Sequence, residues 1–120
     1  MDAFRFENLD IWKEGIELSD TLFDIADTAE SKKLFRFAEQ LRACTMSITN
    51  NIAEGSGSAS DKEFASFLNI SRRSLFECVN ILYIFERRKI INSEKRVYLI
   101  NELKTLSKRI TNFRKSLITP

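Results

Sequence analysis

Asn50, Asn51 and Glu54 stand about one helical turn apart in the stretch SITNNIAEGSGSAS, residues 47–60, and Gly55 and Gly57 follow them. Amides and a carboxylate at that spacing share one side of a helix, which is the arrangement of a small polar site. Glycines directly after them fit either a phosphate cradle or a helix end. A phosphate cradle needs a preceding strand and a lysine among its glycines, and this stretch has neither. The glycines therefore read as a helix end, with Gly55 or Gly57 in the left-handed conformation that closes one.

Other chemistry is thin. The chain has no histidine, which removes the commonest general base and the commonest metal ligand at neutral pH. Carboxylate metal sites in bundles use Glu-x-x-His repeats on facing helices, so Glu39, Glu54, Glu63 and Glu77 do not complete one. Cys44 and Cys78 lack the paired spacing of a metal site and the density of a disulfide framework; they read as buried, reduced thiols acting as small hydrophobes. The expectation is no enzyme, no metal and no cofactor.

Charge is more informative. Residues 1–60 hold eleven acids against six cations, a net of −5, and residues 61–120 hold thirteen cations against six acids, a net of +7. Such a split suits self-association between unlike surfaces or an anionic partner for the second half. Arg87, Arg88 and Lys89 cluster at one turn, and Lys104, Lys108 and Lys115 fall opposite the apolar seam of the last helix, with Arg109 and Arg114 on its flanks. A run of this kind is either a solvated face or a surface for phosphate contacts, which are independent of base sequence and weakened by salt.

The elements that must position these residues are helices. A length of 120 residues with 43% hydrophobic content fits one domain with one core, and three glycines with a single proline leave too little turn chemistry for strands. A first helix starts near Asn8 or Asp10 and aligns Leu9, Trp12, Ile16, Ser19, Phe23 and Ala26, widened by Ile11, Leu18, Leu22 and Ile25, with Gly15 open to close approach by a neighbour. A second runs from Ser31 or Lys32, with Ser31 as N-cap, to Glu54. Ser60 and Glu63 form a capping box for the third, whose apolar stripe repeats Phe64, Phe67 or Leu68, Ser71, Leu75, Cys78, Leu82 and Phe85. Ser93 or Asn92 caps the fourth, in which Leu99, Leu103, Leu106, Ile110, Phe113 and Leu117 alternate steps of four and three. Short links between amphipathic helices give an all-α, antiparallel up-down-up-down four-helix bundle. The opening MDAFRFENLD is charged, and no apolar run approaches the roughly 20 residues of a membrane span, so a cytoplasmic protein with no membrane contact is expected.

If the hairpin of the second and third helices pivots at Gly57 and Ser58, Asn51 and Glu54 lie near Lys62 and Ala65, and Gln40 and Arg42 lie near Ser74 and Glu77. These polar groups either pair to fix register or bind a ligand. The geometry predicts an ion pair between Arg42 and Glu77. Phe4, Phe6, Ile11, Phe35 and Phe37 exceed what one seam needs, and are either core or a patch for a second subunit.

NLDIWKEGIEL, QLRACTMSITNNIAEGSG and SDKEFASFLNISRRSLFE together resemble the bacterial four helix bundle proteins, also known as the 23S rRNA intervening-sequence proteins. Gln40, Leu41, Arg42, Ser47, Ile48, Asn51, Ile52, Ala53, Glu54 and Gly55 all stand in that family's places. Ala43, Thr49 and Ser58 depart from its usual arginine, proline and arginine, and Arg73 replaces its usual glycine. The resemblance implies a four-helix subunit in a homopentamer. It extends to the accessory variability protein of diversity-generating retroelements, which implies nucleic acid and a reverse transcriptase as partners. The leading expectation is thus a non-enzymatic oligomer that binds RNA or DNA through Arg87, Arg88, Lys89, Lys104, Lys108, Arg109 and Lys115. The alternative is a protein-interaction scaffold.

Overall fold

The computed structural model describes residues 3–120. A short 3₁₀ turn at Arg5–Asn8 precedes four helices: α1 Asp10–Ser31, α2 Phe35–Ser56, α3 Asp61–Arg87 and α4 Ser93–Ile118. Consecutive helices pack against one another along their lengths while α1 and α4 touch least, which is the pattern of an up-down-up-down bundle with one looser side. None of these helices is long and apolar enough to cross a membrane.

The stripes on α2, α3 and α4 bury as their spacing dictates: Leu41, Ile48, Ile52, Phe64, Leu68, Leu75, Leu82, Phe85, Leu99, Leu103 and Leu106 all lie in one core. Each such side chain contributes roughly 1.5–3 kcal/mol when fully buried. On α1 the buried face carries Ser19 and Ala26 of the expected stripe, the flanking Ile11, Leu22 and Ile25, and Gly15 and Ala29, so it centres toward the flank and leaves Ile16 exposed and Trp12 and Phe23 half-buried. Small residues decide this. A methyl group at Gly15 would sit 2.8 Å from Thr49 Cγ2, so α1 approaches α2 most closely through its glycine and serine edge. Of the surplus apolar residues, Ile11 is core, Phe6 packs edge-on to Trp12 and Phe37 edge-on to Phe85, while Phe4 and Phe35 are exposed.

The first link also differs. Ser31 is the last residue of α1, where its hydroxyl donates to the Thr28 carbonyl, and α2 starts three residues later than its nearest expected start, behind Leu34. Lys33 adopts a left-handed φ of 64° and Leu34 N donates back to the Ala29 carbonyl. The end of α3 repeats the device: Lys89 has φ 60° and Ile90 N donates to the Phe85 carbonyl. This hydrogen bond is the signature of a Schellman cap, for which glycine is the usual residue. Lysine is held there because the apolar residue that follows, half-buried Leu34 or buried Ile90, packs against the core. Conversely, neither glycine of the GSG stretch is left-handed: Gly55 is inside α2, which continues to Ser56, and Gly57 ends it at φ −90°. Ser60 Oγ accepts from Glu63 N at 3.1 Å and Asn92 Oδ1 from Lys95 N at 2.8 Å, so both expected N-caps are in place.

Candidate nucleic-acid interface

The motif that first looked like a site is largely occupied with holding α2 to α3. Asn51 Nδ2 donates to the Ser47 carbonyl at 2.8 Å and to its hydroxyl at 2.9 Å. Ser47 Oγ meets Ser74 Oγ across the hairpin at 2.7 Å, and the buried Ser71 donates to the Ile48 carbonyl at 2.7 Å. Asn51 thus turns to its own helix and its facing serine instead of toward Lys62. Glu54 is exposed beside Asn50 and Asn51 in a shallow polar depression on α2. Gln40 and Glu77 do share a groove between α2 and α3, lined also by Phe37 and Asn80.

Arg42 does not pair with Glu77. Its guanidinium reaches α1, with Nη2 to Asp27 at 2.7 Å and Nη1 to Glu30 at 3.1 Å, and those hydrogen bonds raise its pKa further. Arg42 reaches the α1 edge of α2, where the acids at 27 and 30 sit one turn apart, whereas Thr45, one turn further on, meets Cys78 of α3.

The basic residues divide into paired and unpaired groups. Arg109 makes a hydrogen-bonded ion pair with Glu14 of α1, which turns it toward the acidic groove formed by Glu14, Glu17, Tyr98 and Glu102. It therefore stands apart from the cationic surface with which it was grouped. Arg96 is paired with Glu86 and stacks on Tyr83, and Arg114 Nε donates to the Ala65 carbonyl, clamping α4 to α3. Arg87, Arg88, Lys89, Lys104, Lys108 and Lys115 are exposed and make no salt bridge among the described residues.

Topology adds three cations that the sequence split had concealed. The α1/α2 and α3/α4 links lie at the same end of the bundle, close enough for Lys32 Nζ to donate to the Lys89 carbonyl at 3.5 Å. Lys32, Lys33 and Arg36, all exposed, thereby join Arg87, Arg88 and Lys89. The clue was available: in an up-down-up-down bundle the first and third links always meet.

Along the α3/α4 side, Lys104 and Lys108 rim an apolar groove of about 360 Å³ floored by Leu75, Phe76, Val79 and Ile100. Arg72 stacks over the Phe76 ring at 4.7 Å, and its buried Nε has no hydrogen-bond partner. Phe76, Tyr83 and Val97 are exposed along the same side.

Among curated protein sequences none matches this chain significantly. Its structure is similar to the 1.70 Å crystal structure of a protein of unknown function from the S23 ribosomal protein family of Bacteroides thetaiotaomicron, with a TM-score of 0.82 and 21% identity over 88% of this chain and 98% of that one. That likeness establishes the four-helix fold. The family model for the 23S rRNA-intervening sequence protein matches residues 7–112, the whole bundle except the ends of the chain, and the chain belongs to that family.

Proposed function

We propose that this protein is a non-enzymatic nucleic-acid-binding bundle that holds structured RNA by phosphate contacts from one end of the bundle and from the outer side of α4. The observation that carries this reading is the segregation of unpaired cations: Arg87, Arg88, Lys89, Lys104, Lys108 and Lys115 are free, with Lys32, Lys33 and Arg36 beside the first three. The family name associates such chains with 23S rRNA and makes RNA the first ligand to test. Phosphate contacts of this kind carry no base code, so the contact is sequence-independent and salt-sensitive.

Lys104→Glu/Lys108→Glu tests it. With a hairpin RNA titrated at several salt concentrations, the variant binds more weakly and its log K against log salt slope falls by about 2, one for each lost phosphate contact. Unchanged affinity and slope would refute the role of α4.

A second reading rests on the exposed Phe76, Tyr83 and Val97 and on the acidic α1/α4 groove. In it the α3/α4 side docks a protein: another subunit of a homo-oligomer, a pentamer in the family's pattern, or a reverse-transcriptase-like partner. Solution mass measured on the same variant separates the two. Retained assembly with lost RNA binding supports the first reading, and lost assembly supports the second.

A further inference from the structure

Cys44 of α2 and Cys78 of α3 face each other inside the core, Sγ to Sγ at 2.8 Å, with 3% and 0% of their surfaces exposed. Neither takes part in the basic surface. Among the described residues their other hydrogen-bond partners are the Leu41 carbonyl, 3.4 Å from Cys44 Sγ, and Thr45 Oγ1, 3.8 Å from Cys78 Sγ. A disulfide needs an S–S distance of about 2.05 Å, less than 1 Å closer than the thiols already stand. The two cysteines are 34 positions apart in sequence, and the bond would close the whole α2/α3 hairpin.

We propose that Cys44 and Cys78 form an intramolecular disulfide site, oxidised by a small disulfide such as glutathione disulfide. The thiolate of one cysteine attacks the small disulfide, breaking its S–S bond, releasing one thiolate and leaving a mixed disulfide on the protein. The second cysteine, losing its proton, attacks the protein sulfur of that mixed disulfide and expels the other half. Two protein thiols give up two electrons and two protons, and the small disulfide is reduced to two thiols.

Packing sets the rate of this reaction. The hydrogen bond that Cys78 donates to Cys44, with burial, holds the Cys78 thiol far above the ordinary range, and the tightly filled core has no space for a glutathione adduct. The first step therefore belongs to a locally opened hairpin. Re-packing of α2 on α3 then returns the sulfurs to contact and drives the second step. Oxidation is slow in the native protein and accelerates under any condition that opens the hairpin.

The experiment incubates the full chain with glutathione disulfide under native conditions, alkylates the remaining thiols in denaturant and measures intact mass. The expected product has lost two hydrogens, takes up no alkylating agent and carries no glutathione; its Tm is raised by roughly 10 °C and returns on reduction. Sub-denaturing urea speeds its formation. Cys44→Ala provides the control, in which the opened hairpin retains glutathione on Cys78. An intermolecular dimer or a persistent glutathione adduct as the main product of the unsubstituted chain would overturn the proposal. So would two free thiols after incubation in urea sufficient to label both with an alkylating agent.

Discussion

One methyl group added at Gly55 measures how closely the signature motif brings α2 to α3. A Cβ at this position would lie 2.6 Å from Phe67 Cβ and 2.8 Å from Phe64 Cδ1. Non-bonded carbons settle at about 3.5–4.0 Å, so the helices must part by about 1 Å or the Phe64 ring must leave its place. Neither is easy: Phe67 Cβ is fixed to the backbone, and Phe64 is only 1% exposed and packs edge-on to Phe113 at 5.5 Å. Overpacking of this kind costs roughly 1–3 kcal/mol. Against it stands the helix preference for alanine over glycine, about 0.8–1.0 kcal/mol in a helix interior. Gly55→Ala is therefore destabilising by about 1 kcal/mol, a fall in Tm of several degrees.

Gly57→Ala supplies the opposite sign. That residue has φ −90°, a conformation open to any side chain, and its added Cβ would meet nothing nearer than the Glu54 carbonyl at 3.5 Å. The substitution is expected to stabilise by about 0.5 kcal/mol, through the unfolded chain's lost freedom. Urea denaturation of the two variants beside the parent checks both values. A Gly55→Ala variant stabilised as much as Gly57→Ala would refute the close approach, and with it the account of this motif as a packing device.

Ser71→Ala removes the buried hydrogen bond to the Ile48 carbonyl and lowers stability by about 1 kcal/mol in urea melts. Lys33→Gly relieves a left-handed lysine and raises stability by about 0.5–1 kcal/mol, since the conformation costs more than the glycine's entropy. Cys78 titrates above its ordinary 9.0 in the folded chain, so at high pH the unfolded state binds fewer protons than the native state. Above pH 9 the parent therefore loses up to about 1.4 kcal/mol per pH unit relative to Cys78→Ala, read as the difference between their pH-dependent melts.

Three of the four helices were legible because their stripes are regular: the buried positions of α3, from Phe64 to Phe85, follow the sequence periodicity step for step. On α1 the buried residues were largely legible, from Ile11 to Ala26, but the stripe centres on the flank that holds Gly15, whose added methyl would meet Thr49, so Ile16 is exposed instead of buried. The α1/α2 link was misjudged for a related reason. Ser31 offers cap chemistry, but a cap formed by Lys33 and half-buried Leu34 satisfies more of the helix end. At the candidate interface, periodicity placed Lys104 and Lys108 on the outer side of α4, whereas the partner of Arg109 was out of reach because α1 is 95 residues away in sequence. The facing of Cys44 and Cys78 depended on the hairpin's register, which two isolated cysteines do not disclose.

The net charge of +2 understates what an approaching polyanion meets. Arg42, Arg96 and Arg109 are each matched by acids on a neighbouring helix, Arg42 and Arg109 by acids of α1 and Arg96 by Glu86 of α3. Their neutralisation leaves the other cations uncompensated on the α3/α4 side and at the end shared by the first and third links. The bundle is 47 Å long and 28 by 21 Å across, while charges in physiological salt are screened over about 8 Å. The acidic α1 side and the basic α4 side thus act as separate fields. On the proposed reading a phosphate chain is drawn to α4 and repelled from α1, and the segregation would orient it along the long axis before any contact forms. From Ser93 to Lys115 α4 alone runs about 33 Å at the helical rise of 1.5 Å per residue, most of the length of the rod, and on the proposed reading an extended phosphate backbone suits this surface better than a compact anion.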